Sequence, residues 1–379
     1  MRVLHVNAIA KFTGGVERIL FDSALGLKQA GDAQGLLYLS GEPQPEMLTA
    51  FDFVTNSVSE IDTFSPDIVL IHKAEHEVIA ELCQRFSCVR MVHDHDVVCL
   101  RRHKYFPVSK RVCNKPAGFS CLTHGCFIQP DNDGLIPIKF ASLTDHLTGM
   151  DINRGLKGFI VGSKWMADSL IMNGFAPEKI QIIPPVPLSL AEIQLPDEII
   201  PSDRVVLFVG QLIRGKGIDL MLRSLAQLQG EWRAIFAGEG NFRKAAEDMA
   251  AQLGIAHKTD FVGRVDHSKL DYYYQTARCV VVPSRWPEPF GMVGIEAQAR
   301  GKAVVAFDVG GIPDWLENNL NGCLVPAGDA VGMAIAVQKL LDNPDLAETL
   351  GHQGTEYVEN HFKHSQYMDS LKKFLEQYK

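Results

Sequence analysis

Short apolar runs alternate with amphipathic stretches from one end of the chain to the other, the pattern of parallel sheets covered by helices on both faces. In the N-terminal half, Val3–Asn7, Gly35–Leu39, Ile68–Ile71, Val89–His93 and Phe159–Val161 predict strands. Val16–Lys28, Val78–Arg85 and Lys164–Asn173 carry apolar residues at helical spacing between them. The rhythm stops between Leu100 and Asp133, where Arg, Lys, His, Cys and Pro accumulate in an insert long enough to imply a function. A second break spans Ile183–Pro201, where Pro184, Pro185, Pro187, Pro196 and Pro201 prevent a continuous helix or central strand. The alternation then restarts with strands at Val205–Val209, Trp232–Ala237, Thr259–Val262, Cys279–Pro283, Ala303–Phe307 and Gly322–Val325. Helices fit Ile218–Gln227, Phe242–Leu253, Lys269–Gln275, Met292–Arg300 and Val331–Leu341.

This organisation predicts an α/β protein of two Rossmann-like, doubly wound domains joined by a proline-rich hinge. The expected boundaries are 1–185, with the insert at 99–133, and 186–360. The tail 361–379 is expected to be a helix packing back on the N-terminal domain through Phe362, Met368, Leu371, Phe374 and Leu375. Ligands of such sheets bind beyond the carboxyl ends of the strands, so a central cleft faced by both domains is the expected site.

Composition narrows the class. With 379 residues, 46% hydrophobic and 22% charged, the chain can bury two ordinary cores without disulfides or metal. A net charge of -8 gives no reason to expect nucleic acid as a partner. No apolar run approaches the roughly 20 residues needed to span a bilayer, and Met1–Val6 reads as a first strand, so a cytoplasmic protein is expected. Of eight cysteines, Cys83, Cys88, Cys279 and Cys323 lie in apolar contexts and read as buried thiols.

Three turns can carry anion chemistry. Gly14-Gly15 follows the first strand and opens a helix, where bare backbone and free N–H groups suit a phosphate; a plain strand-to-helix turn is the alternative. Gly210–Gly217 follows another strand and offers Arg214 and Lys216 to a diphosphate; a solvated basic turn is the alternative. Its spacing is not that of a P-loop, nor is the first turn the dinucleotide fingerprint. The third turn, Pro283–Ala297, places Glu288 in a loop and Glu296 in the following helix, with seven residues between them. Gly291, Met292 and Val293 would present N–H groups at that helix start, and the two carboxylates can accept hydrogen bonds from sugar and ribose hydroxyls.

On these residues the chain resembles the family 4 glycosyltransferases of the GT-B fold. The resemblance runs from Glu288–Glu296 through Gly301–Val305 and Gly310–Pro313, and includes the Gly210–Gly217 turn, Ala237–Gly240, and Val161–Lys164 with Gly174-Phe175 and Ile180–Pro185. It implies that Glu288 contacts the donor sugar, that Phe290, Gly291, Met292 and Val293 bind its diphosphate, and that Glu296 binds the ribose. Lys216 would neutralise the departing diphosphate, Gly14 and Gly15 would admit the donor phosphate, and Gly238 and Glu239 belong to the same donor-binding set. Gln211 stands where many members carry Arg, so Arg214 is a candidate for the missing charge. The pair His93-Asp94 resembles the family's His-Asp, whose histidine lies beside the donor sugar; the duplicated His95-Asp96 leaves His95 as an alternative. The implied reaction transfers a sugar from a nucleoside-diphosphate donor, with retention and without an obligatory metal or other cofactor. An epimerase or hydrolase on the same fold, and a catalytically silent glycan-binding subunit, are the competing readings.

The insert suggests the acceptor side. Arg101, Arg102, Lys104, Lys110, Arg111 and Lys115 are interleaved with Tyr105, Phe106 and Phe119 directly after the His-Asp pair. Arg101, Arg102 and Lys104, with Asp94 and His95, are candidates to bind a glycan or lipid-linked acceptor; contact with an anionic membrane, as in lipopolysaccharide or other polysaccharide biosynthesis, and an ordinary solvated loop are both open. Cys99, Cys113, Cys121 and Cys126 read as free thiols, as ligands of a structural zinc although they lack paired C-x-x-C spacing, or, less in keeping with a reducing cytoplasm, as disulfides.

Overall fold

A computed structural model describes residues 1–130, 138–191, 193 and 204–379. The end of the insert, Asp131–Asp133, and the hinge residues Pro196 and Pro201 lie outside the described residues. The chain divides into two compact units, one of Met1–Leu188 with His364–Lys379, the other of Ser189–Lys363.

The first unit holds strands β1 (Arg2–Ile9), β2 (Ala33–Ser40), β3 (Phe53–Thr55), β4 (Ile68–Ile71), β5 (Cys88–Val92), β6 (Ile128–Pro130), β7 (Ile138–Phe140), β8 (Gly158–Val161) and β9 (Ile180–Ile182). All but the antiparallel pair β6–β7 form one sheet in the order β3-β2-β1-β4-β5-β8-β9, with parallel neighbours throughout. Strands β4, β5 and β8 are buried along their full length, as a parallel sheet covered on both faces requires. Strand order reverses between β1 and β4, so the loops after β1, β4 and β5 gather at one edge of the sheet.

The second unit repeats the plan with β10 (Val205–Val209), β11 (Arg233–Ala237), β12 (Thr259–Gly263), β13 (Cys279–Val282), β14 (Ala303–Phe307) and β15 (Cys323–Val325). Their order is β12-β11-β10-β13-β14-β15, again parallel, with the reversal between β10 and β13. Trp315, Phe236 and Phe307 are among its fully buried side chains.

Two expectations are corrected. The helix Pro344–His361 ends before Phe362, and a new helix, His364–Glu376, makes the tail. Phe362 therefore packs edge-on to Phe290, ring centres 5.5 Å apart, rather than in the tail's apolar stripe. The tail helix does bury Leu371, Phe374 and Leu375, and the Tyr367 and Ser23 hydroxyls hydrogen-bond at 2.6 Å, which fastens it to the Gly15–Gln29 helix. Cys83 is exposed on the His76–Arg85 helix instead of buried, because its position falls on the solvent stripe of that amphipathic helix.

Candidate functional site

In the second unit, four loops leave the sheet at its carboxyl edge and are bonded to one another. The loop after β10 accepts from the loop after β13, Arg285 N–H donating to the Gly215 carbonyl at 2.9 Å. It also donates to the loop after β11 through Leu212 N–H to the Glu239 carbonyl at 2.8 Å. The loop after β14 joins through Gly311 N–H and the Glu288 carbonyl at 2.7 Å. Gly217 makes the first of these contacts sterically feasible: its φ is 72°, and a Cβ there would lie 1.7 Å from the Pro283 carbonyl oxygen. Gly217→Ala is expected to cost about 2–4 kcal/mol, combining left-handed strain with a backbone clash. Thermal unfolding of the variant checks this, and an unchanged melting temperature would contradict it.

The charged centre of this edge is Lys216 with Glu288. The Lys216 ammonium lies 2.7 and 3.0 Å from the two carboxylate oxygens, and the Ser284 hydroxyl donates to Oε1 of the same carboxylate. Glu288 is nearly buried while Lys216 is about one-third exposed (34%), so the pair has one face toward solvent. Glu296, eight positions on, lies on the helix Met292–Gln298 and accepts from the buried Tyr274 hydroxyl at 3.4 Å. Burial first, and then the Glu296 charge, push the Tyr274 phenol well above its usual range, so it stays a donor. Gly291, at φ 99°, turns the chain into that helix, and the Phe290 carbonyl before it is held by the Trp315 indole N–H at 2.7 Å. The loop geometry around Phe290, Gly291, Met292 and Val293 is thereby fixed from beneath by a side chain with no exposed surface.

Arg214 opens the short turn Arg214–Lys216, is exposed, and makes no ion pair among the described residues. Gly238 lies at the base of the adjoining loop, where its N–H donates to the Gly263 carbonyl at 2.7 Å. Glu239 is exposed and pairs with Arg243.

In the first unit, Gly14 precedes the Gly15–Gln29 helix as its N-cap, and both glycines are exposed. Glu17, in the first turn, is buried and accepts from the Thr13 hydroxyl at 2.9 Å. His93 stands one residue beyond β5 and His72 one residue beyond β4, so adjacent strands bring them together: His72 Nδ1 and His93 Nε2 are 2.8 Å apart. On the other side, His72 Nε2 lies 3.0 Å from His5 Nδ1 in β1, and His5 Nε2 lies 3.0 Å from Gln34 Oε1 in β2. Burial lowers the pKa of all three rings, His5 to about 4, His93 to about 3 and His72 well below the usual imidazole range, so they are neutral near pH 7. Asp94 binds the Lys73 ammonium and accepts from Asp96 N–H at 2.9 Å; burial alone would raise its pKa, but these partners hold it below the usual value. Asp96 in turn pairs with the buried Arg90 at 3.0 Å.

His95 is buried with its ring edge-on to Trp165, centres 5.1 Å apart, which distinguishes it from the half-buried His93. Lys104 corrects an expectation: it is buried, its backbone takes a φ of 46°, and its ammonium donates to the Lys115 carbonyl at 2.7 Å, so it is a structural cation inside the insert. Arg102 is exposed, and Arg101 donates to the Ile128 carbonyl. Cys121 and Cys126 join Leu100 and Phe106 in a small apolar cluster, with Cys113 packed against it. Burial, followed by the neighbouring Cys121 sulfur, pushes the Cys126 thiol up to about 12. Among the described residues no three His, Cys, Asp or Glu side chains converge to hold a metal.

Sequence reading missed Ser284, Tyr274, Trp315, His72 and Gln34. Ser284, four residues before Glu288 and just past a strand, carried the readable signal. The others sit at positions that look like ordinary core, and only the fold shows what they touch.

Residues 192–357 match the family described as glycosyl transferases group 1. An uncharacterized glycosyltransferase of Methanocaldococcus jannaschii is 35% identical over 144 residues, 38% of this chain and 37% of that protein. A D-inositol 3-phosphate glycosyltransferase of Corynebacterium diphtheriae is 34% identical over 166 residues, 41% of this chain and 39% of that protein. The matched stretch thus spans about two-fifths of these relatives' length. Among solved structures, Alr3699/HepE of Anabaena in complex with UDP and glucose aligns over 100% of both chains with a TM-score of 0.77 at 18% identity. The fold is the GT-B type, with two Rossmann-like sheets.

Proposed function

We propose, for a chain whose residues 192–357 match the family described as glycosyl transferases group 1, that it moves a sugar from a nucleoside-diphosphate donor to a hydroxyl of a glycan or lipid-linked acceptor. The observation that carries the proposal is the Lys216–Glu288 pair, held at the carboxyl edge of β10 and β13 with one face toward solvent. A cation and a carboxylate locked side by side suit the two ends of such a donor: phosphate oxygens on one, sugar hydroxyls on the other. The UDP and glucose bound by Alr3699/HepE support this class of donor.

In this reading Lys216 and the exposed Arg214 stabilise the negative charge that develops on the leaving diphosphate. Backbone N–H groups of Gly291, Met292 and Val293 add to that stabilisation, and Glu296, oriented by Tyr274, takes the ribose hydroxyls. Gly14 and Gly15 allow close approach of the donor phosphate, and His93 contacts the transferring sugar or the acceptor hydroxyl. Transfer proceeds with retention, as in family 4, through an oxocarbenium-like sugar. A thermal-shift screen against uridine, guanosine and adenosine diphosphates tests the reading. One of them should raise the melting temperature in a dose-dependent way; no response to any would overturn it.

The insert, with the β7 strand beyond it, supports action at a membrane surface. Val108, Phe119 and Phe140 are 80%, 77% and 70% exposed, and Lys110, Arg111, Lys115 and Lys139 are exposed near them in sequence. Apolar side chains bordered by cations match an anionic bilayer surface. No helix of the described residues is long and apolar enough to cross one. Co-sedimentation with phosphatidylglycerol vesicles is expected to fall about tenfold in a Phe119→Ser, Phe140→Ser double variant. Equal recovery of variant and wild type would contradict a role for this surface.

A further inference from the structure

We propose that Gln34, His5 and His72 form a one-directional hydrogen-bond chain that fixes His93 as its Nε2–H tautomer, leaving the Nδ1 lone pair as the acceptor for a substrate hydroxyl. The proposal deepens the glycosyltransferase reading and rests on it only for the identity of that hydroxyl.

The direction follows from one group that cannot donate. The Asp32 backbone carbonyl is an acceptor, and it lies 3.0 Å from the Gln34 side-chain Nε2. That contact sets the amide orientation, because the flipped amide would place two acceptor oxygens together in a buried site. Gln34 Oε1 then faces His5 Nε2 at 3.0 Å, so the His5 proton resides on Nε2 and its Nδ1 carries a lone pair. His72 Nε2, 3.0 Å from that lone pair, must donate, which leaves His72 Nδ1 as an acceptor. His93 Nε2, 2.8 Å away, donates to it. Each step permits one proton position, and reversing any ring would set N–H against N–H or lone pair against lone pair.

Burial enforces the order. His5, Gln34 and His72 are 0–1% exposed, so water does not repair a mismatch. The rings of each neighbouring pair are nearly parallel, with interplanar angles of 14° and 15°. Successive hydrogen bonds pointing the same way polarise one another, which makes the terminal nitrogen a better acceptor. The chain ends on a carboxamide, which has no readily lost proton. It therefore orients His93 and does not conduct protons away from it. Gln34 and His72 are positioning residues, and His93 is the one group in the chain exposed enough to meet substrate.

The test is nuclear magnetic resonance of the 379-residue chain, deuterated except for protonated, 15N-labelled histidine, read by long-range proton–nitrogen correlation near neutral pH. His93→Asn assigns the His93 signals. The expected result is a protonated Nε2 and an unprotonated Nδ1 on His5, His72 and His93 alike. A protonated Nδ1 on His93, or equal populations of both forms, overturns the proposal. Gln34→Met keeps the side-chain length and removes the terminal acceptor, and should raise the minor tautomer of His93 about fivefold or more. An unchanged tautomer pattern in that variant shows that Gln34 does not set the direction. If the variant does not fold, the wild-type tautomers decide alone. Melting-temperature shifts with uridine, guanosine and adenosine diphosphates, recorded on the same samples, separate the two ideas. Absence of any shift in the wild type counts against the donor reading and leaves the tautomer result standing.

Discussion

Glu288→Ala is expected to lower sugar transfer by about 100-fold or more, roughly 2.7 kcal/mol in the activation barrier. The carboxylate is nearly buried and already holds Lys216 and Ser284, so its position is set before any substrate arrives. A preplaced acceptor gains most where the sugar develops charge, so the loss should fall on kcat more than on affinity for the nucleoside diphosphate. Stability should change little. Lys216 is one-third exposed and recovers water when its partner is removed, and the backbone bond from Gly311 to the Glu288 carbonyl survives the substitution. A variant with full activity would remove Glu288 from the mechanism. Turnover of donor by the variant and wild type, compared at saturating donor, is the measurement.

Lys216→Met should have the second large effect, and a different signature. The ammonium lies 2.7 Å from Glu288 Oε1, and the proposed mechanism uses it on the leaving diphosphate. Its loss should weaken nucleoside diphosphate binding about tenfold or more and slow transfer about 100-fold. It also removes the ammonium that holds the Glu288 carboxylate, while Ser284 still donates to it. Calorimetric titration reports the first effect and donor turnover the second. Binding as tight as in the wild type would place the diphosphate elsewhere. Together the two variants divide the donor between its sugar end and its phosphate end.

Much of this was legible in the chain itself, for identifiable reasons. Ile68–Ile71, Val205–Val209 and Ala303–Phe307 are strands with the boundaries their apolar runs predict, because continuous burial on both faces leaves an unbroken signal. Short edge strands such as Phe53–Thr55 and Ile180–Ile182 gave no such signal, since three residues carry too little pattern. The β6–β7 pair is likewise hidden in the polar insert. For the site, Lys216 and Glu288 stood out because they are polar residues in glycine- and proline-rich turns after strands, and the fold brings them to 2.7 Å. Lys104 shows the opposite limit: a lysine in a basic run looks solvated, and only tertiary packing reveals that it is buried on a backbone carbonyl. The partners of His93 were invisible for another reason. His5 and Gln34 occupy single positions on β1 and β2 and His72 the position just beyond β4, and their alignment follows from the sheet order β2-β1-β4-β5, which spacing in the sequence does not encode.

The central claim is that the Lys216–Glu288 edge binds the diphosphate of a sugar donor. Its most direct test is calorimetric titration of the wild type and Lys216→Met with the nucleoside diphosphate selected by the thermal-shift screen. The predicted result is one saturable site in the wild type and binding weakened about tenfold or more in the variant. Equal affinity in the two proteins, or no saturable binding to the wild type, would contradict it.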